Sequence, residues 1–281
     1  MTRYFLVPFY FLLINISSLS AQEDVCNCPA QSKIGKGAIY FSWGYNKDWF
    51  SKSDIHFKNT TGEHNPVTGN NDNYDFTLVG LTATDRPGFQ NLLTTPLTIP
   101  QYSYRLGYYF NNKSDLGIEI NFDHAKYIVD DWQTVRLKGN IQGAEYDKDT
   151  LVDPLKFMHF QHTNGANFLM INLIKRQVLF ASNNKKHWIS GIAKVGAGIV
   201  IPRTVVNLFG EGSNNFWHIA GYCTGIETGL RYDAFKYVFL EYTAKGTFAN
   251  YIDVLTIGSG RANHHFLAFE NILVLGVQLP L

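Results

Sequence analysis

The sequence predicts an all-β protein, an antiparallel up-and-down transmembrane β-barrel. Three observations predict it: a period of two in the apolar residues, a secretory N-terminus, and a composition rich in glycine and aromatic residues. The period is clearest over residues 187–201. Ile189, Ala193, Val195, Ala197, Ile199 and Ile201 alternate there with the small or polar Ser190, Lys194, Gly196 and Gly198. Alternation of this kind gives a strand one apolar and one wetter face, as a barrel needs when one face meets lipid and the other a polar lumen.

The first 21 residues have the form of a secretory signal. Arg3 supplies the positive end, Tyr4 to Ile16 the apolar stretch, and Ser17 to Ala21 the small residues for cleavage, after Ser20 or Ala21. The apolar run is shorter than the ~20 residues of a spanning helix. Glu-Asp-Val before Cys26 does not resemble a lipobox, so a lipoprotein anchor is rejected. Residues 22–281 then form a single barrel domain, since no linker, repeat or low-complexity tract divides them. The best later candidate for a spanning helix, Phe168 to Ile174, meets Lys175 and Arg176 at once, whereas a barrel strand needs only about 9–11 residues. Charged residues make up 17% of the chain, below the ~25% of soluble domains. The 16 Tyr and 21 Phe suit aromatic girdles at two membrane interfaces. Without Arg3 the mature chain has 23 basic and 23 acidic residues, which argues against a nucleic-acid partner. Cys26 and Cys28 would form only a strained bridge, and Cys223 stands alone, so neither a metal framework nor a cofactor is expected.

Ten segments carry the alternation or end it with turn residues: 37–46, 53–58, 74–84, 101–111, 115–128, 165–180, 187–201, 217–232, 236–248 and 264–279. The connections 111–115, 181–186 and 232–236 are short and belong in the periplasm. Those at 85–100, 129–164, 202–216 and 249–263 are long and belong outside. The two classes alternate only if 53–58, Ser-Asp-Ile-His-Phe-Lys, counts as a strand and 59–73 is a periplasmic insertion. This predicts ten strands, with eight as the alternative. The connection 129–164 is too long for structureless packing, so it is functional or extends the strands above the membrane.

With the greasier face of each strand set toward lipid, the lumen receives Glu119, Asp123, Glu227, Glu241 and Glu270 against Arg105, Arg176, Lys194, Arg231 and Lys245. A selective pore tends to line itself with one sign of charge. Five acids facing five bases instead predict a charge-paired, mostly closed lumen, because unpaired buried charge costs several kcal/mol. At the extracellular rim the phase brings His162 and His264 inward near the level of Asp123. A carboxylate beside an imidazole suits a general base, so these residues are the candidates for an outer-membrane hydrolase acting on lipid or peptide. Asp147-Lys148-Asp149 and Asp54-Ile55-His56 share strings with omptin proteases but in reverse chain order, and they are read as coincidence. His124 and Lys126 share the lipid-facing phase of Phe122, at a level where the strand has left the hydrocarbon. A soluble lipocalin-like barrel would reverse the two faces.

Several strings carry a resemblance: Phe41-Ser42-Trp43-Gly44-Tyr45-Asn46, Ser53-Asp54-Ile55-His56-Phe57, Tyr74-Asp75-Phe76-Thr77-Leu78, Ile99-Pro100-Gln101, Asp123-His124-Ala125-Lys126-Tyr127 and His162-Thr163-Asn164-Gly165. Over nearly all of the mature chain they resemble an uncharacterised group of outer-membrane β-barrel proteins from Bacteroidetes. The resemblance implies a Gram-negative outer-membrane location and brings no catalytic residues. The chain departs from the usual barrel ending, an aromatic residue, by closing on Leu279-Pro280-Leu281. The expected function is that of a monomeric structural, binding or narrow-transport barrel acting through its extracellular loops. Its expected partners are outer-membrane lipid, including lipopolysaccharide, and the barrel-assembly machinery during biogenesis.

Overall fold

The computed structural model describes residues 37–64, 69, 72–86, 88–89, 100–110, 115–184, 186–235 and 237–281. The signal segment and Cys26 and Cys28 lie outside the described residues. Along the chain come β1 (Ala38–Phe50), β2 (Ser53–Asn59), β3 (Tyr74–Leu81), β4 (Ala83–Thr84), β5 (Tyr102–Tyr109) and β6 (Leu116–His124). Next are β7 (Tyr127–Val129), β8 (Thr134–Ile141), β9 (Ala144–Leu151), β10 (Met158–His162), β11 (Phe168–Ala181) and β12 (His187–Val200). The last are β13 (Val205–Leu208), β14 (Glu211–Asn214), β15 (Gly221–Ala234), β16 (Val238–Leu255) and β17 (Arg261–Pro280).

Eight of these strands close an antiparallel ring in the order β1, β5, β6, β11, β12, β15, β16, β17. The first and last strands seal it, from Ala38 opposite Pro280 to Phe50 opposite Ala268. The predicted alternation is the physical basis of the wall. On β17, Leu267, Phe269, Leu273, Leu275, Val277 and Leu279 point out and are exposed, while Phe266, Ala268, Glu270, Ile272 and Val274 point in and are buried. The outward set continues around the ring through Ile118, Ile120, Ile171, Leu173, Val195, Ile226, Leu230 and Leu240. Exposed aromatic residues border this belt at both ends. Phe110, Phe180, Tyr232, Phe235 and Tyr237 lie by the termini, and Trp49, Phe216, Trp217 and Tyr222 at the far end. The soluble lipocalin-like arrangement is thereby excluded, because the charges point inward and the apolar faces outward.

The ring corrects the expected count of ten to the alternative, eight. Segment 53–58 is the upper continuation of β1, not a separate stave. After a break at Ser51 and Lys52 it stays on the same neighbour, with Ile55 opposite His264 and Lys58 opposite Arg261 of β17. Segment 74–84 supplies β3, which pairs with β2 and β8 outside the ring. The described residues of the connection 59–73 therefore lie at the end of the barrel away from the chain termini, not beside the short turns where the expected periplasmic insertion would put them. There Glu63 accepts a hydrogen bond from the Ser259 amide in the β16–β17 turn at 2.9 Å. Period-two alternation marks a strand with one apolar face, and it does not separate a barrel stave from a strand of a sandwich.

Above the ring, β2, β3, β8 and β9 prolong the barrel sheet, and a second sheet of β14, β13, β10, β7 and β4 packs against it. The long connections 129–164 and 202–216 thus fold as strands of a two-sheet cap. Phe57, Phe76, Leu78 and Leu137 of the first sheet share one apolar core with Phe160, Val206, Leu208 and Val129 of the second. Phe57 meets Phe160 edge-on with ring centres 5.7 Å apart, and Phe76 lies 5.9 Å from Phe209. The core continues down into the barrel mouth through Phe168, Met170, Tyr251 and Phe266.

An eight-stranded barrel is only wide enough for side chains to fill, and glycine supplies the remaining room. A Cβ on Gly107 would sit 2.2 Å from Cζ of Tyr40. Gly107→Val should therefore destabilise the barrel by about 1–3 kcal/mol through overpacking. Gly246, where a Cβ meets nothing within 4 Å, should accept alanine with little change. Urea unfolding of the lipid-refolded variants checks both.

Candidate functional site

The lumen is built in three layers. Next to the termini, Tyr40, Tyr109, Ile174, Ile192 and Phe239 form a small apolar plug. The Arg231 guanidinium lies 3.4 Å above the ring of Phe239, and that of Arg176 lies 4.3 Å from Tyr109. Both arginines also hold carboxylates, Arg231 with Asp233 at 2.9 Å and Arg176 with Asp115 at 3.0 Å.

The middle layer is a charge network. Lys194 reaches Glu241 at 2.8 Å, Glu227 at 3.1 Å and Glu119 at 3.2 Å. Arg105 donates to Asp123 at 2.5 Å and lies 3.7 Å from both Glu119 and Glu227. Lys245 binds the other oxygen of Asp123 at 2.5 Å and Glu270 at 3.5 Å. Neutral donors add to the shells. Tyr40 and Asn172 donate to Glu119, Asn121 to Asp123, Thr243 to Glu227 and Thr247 to Glu270. Eight of the ten charges assigned to the lumen from sequence thus meet in one network, and all ten are buried. Arg231 touches that network only through Glu241 at 3.9 Å, and Arg176 stands apart from it on Asp115.

Three inward acids lay beyond the sequence assignment. Asp115 stands immediately before β6 and Asp233 next to last in β15, and Asp48 follows Ser42 and Asn46 in phase on β1. The parity signal for Asp48 was present, but the expected strand stopped at Asn46, four residues short of its end at Phe50.

The third layer, at the barrel mouth, holds His162 and His264. Their Nε2 atoms lie 3.1 Å apart. Nδ1 of His162 is 2.9 Å from Thr204 Oγ1, and Nδ1 of His264 is 3.4 Å from Ser53 Oγ. Tyr251 stacks on both rings with centres 5.0 and 4.8 Å away. The expected pairing of a histidine with Asp123 is not formed, because both oxygens of Asp123 are held by Arg105, Lys245 and Asn121. The predicted inward phase of the histidines holds, but the cap closes over them and makes them part of an apolar core. The omptin-like strings are also apart. Asp147 on β9 and His56 on β2 share a row of the cap sheet but are separated by β8 and β3, roughly 14 Å at the spacing of neighbouring strands. Asp147 pairs with Arg136 and His56 with Asp75. His124, assigned from sequence to the lipid-facing phase, is buried at 8% exposure. It is bonded to Asn167 at 2.8 Å and stacked on Tyr102. Among the described residues no group of three or more His, Cys, Asp or Glu is arranged to hold a metal ion.

A closed ring with charge inside and apolar residues outside defines the class: a membrane-type eight-stranded β-barrel. No protein-family model matches the chain, and no curated protein matches it either. Among solved structures it is similar to OprG from Pseudomonas aeruginosa, with 11% identity over 88% of this chain and 97% of that one and a TM-score of 0.39. Neisserial surface protein A shows 10% identity over 87% and 97% with a TM-score of 0.30. AlkL, determined in lipid bilayers, shows 13% identity over 88% and 92% with a TM-score of 0.31.

Two outcomes follow from this geometry. Lys194→Met leaves three buried carboxylates without their shared cation and should destabilise the barrel by about 3–5 kcal/mol, measured by urea unfolding. Burial, with His264 beside it, holds the His162 imidazole well below its ordinary range. The unfolded chain therefore takes up this proton first. Stability is full above about pH 6.5 and falls as the pH drops below it, by about 1.4 kcal/mol per pH unit until the depressed native value is reached. Unfolding midpoints of the wild type and His162→Gln between pH 7.5 and 5 should converge on the acid side.

Proposed function

We propose that this chain is an outer-membrane β-barrel with a closed interior, anchoring a rigid β cap at the cell surface where binding takes place. The observation that carries this function is the continuous filling of the lumen. The Tyr40 plug, the charge network and the aromatic histidine layer follow one another without a break in residue contacts. Tyr40 itself donates to Glu119 of the network at 2.6 Å, and Lys245 of the network lies 5.8 Å from the ring of Phe168 in the upper core. A pore of one charge sign would need that packing removed.

The apolar belt with its two aromatic borders supports a bilayer as the surrounding medium, and the N-terminal signal over residues 1–21 supports export to the outer membrane. Residues 22–281 then work as a monomer in contact with lipopolysaccharide, inserted by the barrel-assembly machinery. The cap supports binding over transport, because two packed sheets stand above the ring and share its core. Its outer face is polar, with Lys58, His56 and Asp75 joined in one cluster and Arg136 holding Asp147 and Asp149.

Planar-bilayer recording tests this function. Protein shown to be folded by its heat-modifiable migration should give no discrete openings. Steady single-channel steps from the folded wild type would establish a pore instead.

A further inference from the structure

We propose that the barrel holds one hard, oxygen-seeking divalent cation of the calcium class between Asp48 and Glu270. The register places Asp48 of β1 directly opposite Glu270 of β17, and Lys245 on the other side of Glu270 in the same row. Both carboxylates point inward and are buried, at 1% and 0% exposure. Asn46 stands one inward step along β1 from Asp48 and is equally buried. Among the described residues neither carboxylate oxygen of Asp48 has a hydrogen-bond donor, and the same holds for Oε2 of Glu270 and Oδ1 of Asn46. The other polar atoms of these residues are used. Oε1 of Glu270 accepts from Thr247 and faces Lys245, and Nδ2 of Asn46 donates to Ser103. Four buried oxygen acceptors are thus left on neighbouring inward positions.

The charges of the layer point the same way. With the Arg176–Asp115, Arg231–Asp233 and Lys47–Asp85 pairs set aside, Asp48, Glu119, Asp123, Glu227, Glu241 and Glu270 face Arg105, Lys194 and Lys245 among the described residues. Negative charge is in excess in a compartment shielded from water, where an uncompensated ion costs several kcal/mol. The deficit is local, because among the described residues each of the other five acids has a cation within 4 Å and Asp48 has none. A proton would bring one donor to four acceptors. A calcium-class ion takes about 6–8 oxygens from carboxylates, amides and water at about 2.3–2.6 Å. Oxygen-only donors, two of them carboxylates, suit such an ion and not a softer metal that prefers sulfur or imidazole.

The test uses the whole mature chain, refolded into detergent with calcium chloride or with a chelator and then dialysed. Metal content by mass spectrometry should give about one calcium per folded chain, and calcium should raise the melting temperature. Asp48→Asn and Glu270→Gln should lower bound calcium at least about tenfold and abolish the calcium-dependent rise. Asp48→Asn removes a buried charge while keeping shape, so in chelator it should melt no lower than the wild type. Folded wild type without stoichiometric calcium at saturating concentration overturns the site, and this measurement needs no variant. Calcium retained by Asp48→Asn overturns it too. Wild-type stability that follows pH but ignores calcium assigns the pair a proton instead and equally overturns the proposal.

Discussion

An eight-stranded ring leaves an interior of side-chain width, and every other feature of this molecule follows from having to fill it. Polar inward residues are forced within reach of one another, so each must find its partner across the barrel and not in water. Lys194 meets that demand for Glu119, Glu227 and Glu241 at once. Arg105 does so for Asp123 and approaches two of the same acids. The network joins residues from β5, β6, β12, β15, β16 and β17, so it ties together strands that share no backbone hydrogen bonds. Shape obeys the same constraint. Gly107 exists where the Tyr40 ring lies, and Gly276 where that of Phe239 lies.

The filled interior also explains how the cap is held. The wall strands do not stop at the belt: β1 passes into β2, and β16 and β17 run through it for 18 and 20 residues. Their upper inward positions, Tyr251, His264 and Phe266, belong to the same core as Phe57 and Phe160 of the cap. Barrel and cap therefore share packing, and the buried histidine pair sits at the junction. Aromatic rings on several sides favour a neutral His162 imidazole there, which couples the junction to acidity.

Much of this was legible in the residues because alternation is a local property. The inward phase of Arg105, Glu119, Asp123, Lys194, Glu227 and Lys245 can be read from their neighbours on the same strand. What failed were quantities that depend on where a strand ends or what it pairs with. Asp48 and Asp233 lay past the expected ends of their strands. Segment 53–58 alternates as a stave would, yet it extends β1. Strand β3 is equally regular, but it pairs with β8 instead of entering the ring. The inward face of His162 and His264 is equally legible, but their environment is set partly by Phe160 of β10 and by Thr204 just before β13, both in connections between the expected strands.

The sequence by itself determined the class of fold and which face of each strand is wet, because a period of two and the sign of each side chain need no knowledge of partners. Only the tertiary structure decided the number of staves, the cap, the hub role of Lys194 and the position of Asp48 opposite Glu270. Those are properties of register between strands far apart in the chain. A single sequence carries no record of which residue stands across from which.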